Sequence, residues 1–257
     1  NILAVRTDNA WDYRENATKS LYQWSDKNFN ANYGGIPKNV KLHLTDKLYQ
    51  TLPLYSNLGS TGVYIHASKF DLKAGSAVIT AEEETRNEHA EARPVSLEVV
   101  LEELDGRELT RFTSQPATLR SGETTVLKAS APVKGLKFWS WGHGYLYQVR
   151  TSLVSGGKVV DEALTTTGFR KAEFGHGMVR LNERILQMHG YAQRTSNEWP
   201  AVGNTVPPWL SDFSNGLMVE SNANLVRWMH TCPSKQDVES CDRVGLIQAM
   251  PAGDAER

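Results

Sequence analysis

Arg227 and His230 are the residues of this chain whose types and spacing best suit the binding of a polar ligand. Both fall at the end of a predicted strand, residues 225–230. The carboxyl ends of parallel strands are where α/β proteins place their sites, so both side chains could project into such a site. From the spacing alone, the structural alternative is favoured: an arginine paired with a core carboxylate and a histidine hydrogen-bonded to the backbone.

Strands and helices alternate around these two residues. The elements predicted after Gly168 are strands at 185–190, 225–230 and 246–249 and helices at 211–221 and 234–243. Ser234 and Asp237 have the spacing of a capping box, and Gly245 lies where a helix terminator belongs. The alternation predicts a parallel sheet, either an open doubly wound sheet or a barrel. The first strand lacks a following G-x-G-x-x-G pattern, which weakens a dinucleotide-binding interpretation.

The rest of the chain is predicted to be β-structure. Between residues 48 and 167, alternating apolar residues mark short strands around Ile65, Ile79 and Leu97. This spacing predicts a β-sandwich of immunoglobulin-like size, although the cysteine pair of antibody domains is missing. Residues 1–47 are predicted to form a strand, a long loop and a strand. Two strands do not close a domain, so we interpret this part as the end of a sandwich whose earlier strands precede the given sequence.

Composition narrows the class of protein. The 257 residues carry 28 basic and 29 acidic side chains, a formal net charge of -1, so no basic excess indicates nucleic-acid binding. The sequence also lacks the roughly 18 to 20 continuous apolar residues of a membrane span. A soluble protein of either the periplasm or the cytoplasm is expected, and the compartment stays open.

Cysteine and acidic residues provide no metal site. Cys232 and Cys241 lack the C-x-x-C spacing of a zinc site, and two separate thiols are favoured over a disulfide. The acidic run 82–84 is predicted to be a solvated strand end. No metal and no cofactor are therefore expected.

Several short motifs, taken in order, resemble glycoside hydrolase family 2, which comprises β-galactosidases, β-glucuronidases and β-mannosidases. Each motif is weak alone, but their order along nearly the whole chain is specific. The matching segments are NILAVRTDN at 1–9, GGIPKNV at 34–40, LKFWSWGHGYLYQV at 136–149, Gly168 to Arg170, Leu181 with Asn182, the set Asn224, Val226, Arg227, His230 and Pro233, and the set Asp242, Gly245 and Leu246.

The resemblance implies a five-domain enzyme and a multidomain β plus α/β fold class. Residues 1–47 would be the C-terminal part of a jelly-roll sugar-binding domain, and residues 48–167 an immunoglobulin-like β-sandwich. Residues 168–257 would be the N-terminal part of a TIM (β/α)8 barrel, including its first strands and helices.

Residues 168–257 expressed alone are expected to aggregate or to lack fixed packing. Three barrel strands leave an open parallel edge and bare apolar helix faces, which barrel closure would cover. Calorimetry of this segment checks the expectation, and a sharp cooperative thermal transition would contradict it.

The resemblance also implies a retaining exo-β-glycosidase that acts by a two-carboxylate double displacement. One carboxyl group protonates the leaving oxygen, and a carboxylate about 5 Å away attacks the anomeric carbon. In the family both groups lie on later barrel strands, so no catalytic residue is assigned in this chain. The leading interpretation is a β-galactosidase that hydrolyses terminal β-galactosyl units of oligosaccharides. The alternatives are a β-glucuronidase or β-mannosidase of the same family, or a non-catalytic carbohydrate-binding or scaffold protein.

Site roles also follow from the resemblance. It implies that Arg227 supports the nucleophile's carboxylate and that His230 donates a hydrogen bond to the sugar. Glu198 follows Asn197, as the family's acid follows an asparagine, but it precedes Arg227, whereas the family's acid follows it. We therefore interpret Glu198 as a loop residue that could border the substrate cleft. Trp199 beside it would either stack on a sugar or anchor the loop.

Two positions depart from the family pattern. Gln193 and Arg194 stand where common members have an Asn-Arg-His-acid run, and Met250 with Pro251 replaces a frequent Asp-Glu. Arg194 fits either a charged sugar or a salt bridge. A divergent enzyme acting on a plant or algal oligosaccharide is expected, with that substrate and the remainder of the enzyme as partners. Neither nucleic acid nor a membrane span is expected, and homo-oligomerisation stays open.

Overall fold

The computed structural model describes residues 2–7, 35–36, 39–52, 59–193, 199, 201–202, 205–229 and 233–250. The chain divides into a sandwich unit, His43–Ser140 with Tyr145–Gln187, and a β/α unit, Asn1–Leu42 with Trp141–Gly144 and Met188–Arg257. The elements are β1 (Leu48–Gln50), β2 (Val63–Asp71), β3 (Ser76–Asn87), β4 (Arg93–Glu103), β5 (Glu108–Thr113), β6 (Ala117–Leu119), β7 (Thr124–Lys134), β8 (Tyr147–Ser155), β9 (Lys158–Thr167), β10 (Ala172–Gly175), β11 (Met178–Leu181), β12 (Arg184–Leu186), β13 (Gly190–Gln193), α1 (Pro208–Glu220), β14 (Leu225–Trp228), α2 (Lys235–Val244) and β15 (Ile247–Ala249).

Two antiparallel sheets form the sandwich. In the first, β3 pairs with β7 on one edge and with β2 and then β1 on the other. In the second, the order is β5-β4-β8-β9, and β6 also pairs with β4. The predicted alternating runs lie on β2, β3 and β4. Their inward residues build one apolar core, and each fully buried Val, Leu or Ile side chain contributes about 1.5–3 kcal/mol. Central members of this core are Leu48, Ile79, Val95, Leu97, Val99, Leu101, Tyr147, Val149 and Leu153.

The inward face of β3 changes from apolar to polar along its length. Ile79 and Ala81 are fully buried in the core, and Glu83 and Thr85 further along are fully buried as well. Side chains of a strand alternate with period two, so Glu83 points to the same face as Ile79. The prediction of a solvated strand end at 82–84 is therefore wrong for Glu83.

A small antiparallel sheet, β10-β11-β12, follows the sandwich in the same unit. Two-residue turns join its strands, and the central residues of both turns have positive φ: His176 and Gly177 in the first, Asn182 and Glu183 in the second. Such turns match the right-handed twist of hairpin strands. The strand predicted at 185–190 is divided between β12 of this sheet and β13 of the next. An apolar run without a clear period does not reveal such a break.

The β/α unit contains a parallel sheet of order β13-β14-β15, with α1 and α2 in the two connections. Ser234 and Asp237 form the predicted cap: the Asp237 carboxylate accepts from the Ser234 backbone amide at 3.1 Å and from the Ser234 hydroxyl. Gly245 ends α2 in the left-handed conformation, also as predicted. The buried core of this unit is Val226, Trp228, Cys241 and Leu246.

The short segment Trp141–Gly144 belongs to the β/α unit, although it lies between two sandwich strands in sequence. The Trp141 indole donates to the carbonyl of Ala223 at 2.8 Å, and the Gly142 amide donates to that of Gly245 at 2.9 Å. A Cβ at Gly144 would lie 2.0 Å from the carbonyl oxygen of Arg243. This close backbone approach explains why the second glycine of the motif at 136–149 is required.

The strands predicted within residues 1–47 do not form in the described residues 2–7 and 39–46. Ile2, Leu42 and Leu44 are 99%, 84% and 86% exposed. A strand persists only when a neighbour takes up its backbone hydrogen bonds. The described part of the chain provides these two segments with no such neighbour.

Candidate functional site

The carboxyl ends of three parallel strands lie side by side at one edge of the β/α unit. Gln193 pairs in register with Trp228, and Arg227 lies between Ala192 on β13 and Ala249 on β15. Neighbouring residues of a parallel sheet point to the same face. Ala192, Arg227 and Ala249 therefore share one face, here called the open face, and all three are exposed.

Arg227 projects from the open face between two alanines. Its neighbours across the sheet, Ala192 and Ala249, have only methyl side chains. One guanidinium nitrogen, Nη1, lies 3.3 Å from the Sδ of Met229, and a thioether is a weak acceptor. A guanidinium has five N–H donors and forms its strongest bonds with carboxylates. The arrangement suits the binding of a carboxylate at the strand ends.

Trp228 fixes the end of β14 from the opposite face. Its side chain is 1% exposed, and its indole Nε1 donates to the Oε1 of Gln248 at 2.9 Å. The amide of Gln248 in turn donates to the carbonyl of Val238 on α2 at 3.3 Å. This chain of hydrogen bonds ties β14 to β15 and α2, and it therefore orients the adjacent Arg227. Sequence reasoning missed Trp228, although its place next to Arg227 in an alternating strand was a usable signal.

Gln193 lies on the helix-covered face, so the structure does not bring it together with Arg227. It is 6% exposed, and its Nε2 donates to the Ser214 hydroxyl at 3.2 Å. Its Oε1 is buried without a hydrogen-bond partner among the described residues. The side chain lines a cavity of about 360 Å³ between β13 and α1, together with Tyr191, Leu217 and others.

Trp199 packs on α1. Its ring centroid is 6.5 Å from that of Phe213 with the planes inclined at 54°, and the side chain is half-buried. The remaining predicted site residues, Arg194, Glu198 and His230, lie outside the described residues.

Cys241 is buried in the core of the β/α unit. Burial raises the pKa of its thiol, so this cysteine stays protonated and packs as a small apolar residue. Among the described residues, His, Cys, Asp and Glu form no group of three or more that could hold a metal ion. Within the same residues, neither helix is long and apolar enough to cross a bilayer.

The chain therefore combines a β-sandwich unit with a β/α unit that has the candidate site at its strand ends. Residues 63–170 match the family described as glycosyl hydrolases family 2. This match spans the strands β2 to β9 of the sandwich.

Similar proteins extend the match to the whole chain. A β-glucuronidase of Formosa agariphila is 31% identical over 259 residues, covering all of this chain and 26% of the relative. A β-galactosidase of Bacteroides ovatus is 25% identical over 258 residues, covering all of this chain and 27% of the relative. A solved β-glucuronidase of glycoside hydrolase family 2 has a TM-score of 0.81 at 30% identity, covering 93% of this chain and 25% of that one. The chain spans about a quarter of the length of these relatives.

Proposed function

We propose that this chain is part of a retaining exo-β-glycosidase that removes terminal sugars from an oligosaccharide. The observation that carries the proposal is the match of the entire chain to a β-glucuronidase at 31% identity. A β-galactosidase also matches along the entire chain, at 25% identity. The sequence motifs favour a β-galactoside substrate, whereas the higher identity favours a β-glucuronide, with the β-galactoside as the second candidate.

The domain assignment belongs to the same proposal. An immunoglobulin-like sandwich is supported by Tyr147 at the start of β8, whose hydroxyl accepts from the Lys137 amide at 2.7 Å and donates to the Lys137 carbonyl at 3.3 Å. Such a tyrosine corner is typical of these domains. A barrel is supported by the sequential strand order β13-β14-β15, because a doubly wound sheet reverses its order at a switch point. The barrel would begin at β13, since residues 145–187 group with the sandwich.

In the double displacement of a retaining glycosidase, we assign Arg227 the role of holding and orienting the nucleophile. Its positive charge favours the ionised form of a neighbouring carboxylate, which must attack the anomeric carbon as an anion. Its guanidinium donates two parallel hydrogen bonds to that group, which fixes the attacking oxygen. His230 donates to a sugar hydroxyl, and two carboxyl groups outside this chain perform the proton transfer and the attack.

Arg227→Ala in the full-length enzyme is expected to lower kcat/KM for an aryl β-glycoside by about a hundredfold, because one preorganised charged contact to the reacting groups is lost. Arg227→Lys should recover only part of this loss, since an ammonium does not form the bidentate pair. Steady-state kinetics with aryl β-glucuronide, β-galactoside and β-mannoside measure the effect and rank the substrates.

The matched control is Arg243→Ala. Arg243 pairs with Asp212 at 2.8 Å between the two helices, and its loss should leave kcat/KM within twofold. Equal activity of the Arg227 and Arg243 variants would refute the role of Arg227. Sugar binding by calorimetry without turnover of any of the three glycosides would instead favour the non-catalytic carbohydrate-binding alternative.

A further inference from the structure

The outer face of the first sandwich sheet presents an aromatic ring beside charged and hydroxyl groups. Its central residues lie on three adjacent strands and are here called the platform. They are Tyr64 and His66 on β2, Thr80 and Glu82 on β3, and Lys128 and Ser130 on β7.

The strand register arranges the platform in two rows. Tyr64, Glu82 and Lys128 are direct neighbours across the sheet, and His66, Thr80 and Ser130 form the next row. Neighbouring strands lie about 4.8 Å apart, so a row spans roughly 10 Å, and residues two apart along a strand are roughly 7 Å apart. The platform therefore has the dimensions of a disaccharide.

Tyr64 is held as a flat, accessible ring. It stacks on His66 with the ring centroids 5.0 Å apart and the planes inclined at 28°. Its side chain nevertheless stays 61% exposed. A ring held by a neighbour loses little conformational freedom on binding, which favours ligand stacking.

Polar groups surround the ring. Lys128 Nζ donates to Glu82 Oε1 at 2.6 Å, and His66 Nε2 lies 3.7 Å from the same oxygen. The bond from Lys128 lowers the pKa of Glu82, which keeps this carboxylate ionised as an acceptor. Ser130 is exposed, and its hydroxyl bonds at 2.8 Å to that of Thr80, which is buried within the platform. A lysine ammonium has three donors, so Lys128 can also donate to a ligand.

We infer that the platform binds a β-linked oligosaccharide, with one pyranose ring stacked on Tyr64 and the next ring hydrogen-bonded to Glu82, Lys128 and Ser130. A pyranose combines an apolar C–H face with a rim of hydroxyls, which is the combination the platform offers. The opposite charges of Glu82 and Lys128 balance, so the platform does not attract a polyanion. A stable protein interface would bury about 800 Å² per partner around an apolar centre, whereas Tyr64 is the only apolar ring of the platform.

This inference rests on the proposed function for the choice of a glycan. The ligand would be the chain whose terminal sugars the enzyme removes. The binding measurement below is independent of turnover, so the two proposals can fail separately.

The experiment is calorimetry on the full-length enzyme with cello-, xylo-, laminari- and galacto-oligosaccharides of four to six units. Saturating glucuronate and galactose occupy the proposed exo site during the titration. The parent enzyme should bind at least one series. Tyr64→Ala should raise the Kd at least tenfold, since the stacking of a sugar ring on the aromatic side chain is lost. Tyr64→Phe should stay within threefold of the parent because the ring is retained.

The control is Leu164→Ala, which removes a half-exposed apolar side chain from the outer face of the other sheet. It should bind like the parent. The inference is overturned if no series binds to the parent, or if Tyr64→Ala binds as tightly as Leu164→Ala. If the parent enzyme hydrolyses no aryl glycoside, the proposed function is refuted instead. Equal melting temperatures of the variants establish that each is folded.

Discussion

Glu83→Gln is expected to keep its stability from pH 5 to pH 9, whereas the parent protein loses about 4 kcal/mol over this range relative to the variant. Burial is the main reason, because it raises the pKa of Glu83 to about 8, with further contributions from the negative charges of Asp161 and Glu84. Thr85 Oγ1 donates to one carboxyl oxygen, Oε2, and Oε1 has no hydrogen-bond partner among the described residues. The group is therefore held as a neutral acid inside the sandwich.

The sign of the effect follows from the two pKa values. The folded-state pKa of about 8 exceeds the ordinary glutamate pKa of 4.5 in the unfolded chain, so the folded state binds the proton more tightly. The stability is fully present below about pH 4.5 and is lost as the pH rises through about 8. Glutamine has nearly the same shape and does not titrate, so the variant should lack this loss.

Urea unfolding at a series of pH values measures the difference between parent and variant. Glu82→Gln is the matched control, because Glu82 lies next to Glu83 but points outward and pairs with Lys128 at 2.6 Å. That variant should retain the decline of the parent toward pH 9. Parallel pH profiles of the parent and Glu83→Gln would show that the buried carboxyl does not titrate as argued.

Asn87→Asp is expected to destabilise the sandwich by about 3–5 kcal/mol at neutral pH. The Asn87 side chain is fully buried, and its Nδ2 donates to the carbonyls of Glu91, Leu119 and Arg120 at 3.0, 3.0 and 3.1 Å. Its Oδ1 accepts from the His89 amide at 3.0 Å. A carboxylate of the same size would place a negative charge against three carbonyl oxygens.

Thermal unfolding tests this expectation. The loss should shrink as the pH falls, because a protonated aspartic acid recovers one donor. Asn222→Asp is the control: Asn222 is exposed after α1, and its replacement should change the melting temperature by only a degree or two. An Asn87→Asp protein that melts within two degrees of the parent would contradict the argument.

The sandwich strands and the caps of α2 were predictable because their signals are local. Ile79 and Leu97 lie in runs with a clear period of two, and this period arises from the pleat of each strand. Ser234 and Gly245 act on backbone groups within one turn of the helix, so their spacing is enough. The break between β12 and β13 was not predictable, since it depends on which neighbour each short strand pairs with.

The candidate site was likewise predictable only in part. Arg227 was placed at the end of a strand from the sequence, and the structure has it one residue before the end of β14. That Gln193 points away from Arg227 depends on the parallel register of β13 and β14, which pairs Gln193 with Trp228. A register between strands is set by side-chain packing across them and by α1 between them, and neither is encoded within one strand.

The sequence alone determined the family resemblance, the alternation of strands and helices, and the position of Arg227 at a strand end. These follow from residue types and short spacings, which act through local backbone geometry. Only the tertiary structure decided that Glu83 is buried, that Trp228 is bonded to Gln248, and that Tyr64 lies in one row with Glu82 and Lys128. Each of these depends on contacts between strands far apart in sequence, where burial and register are set by the packing of the whole sheet.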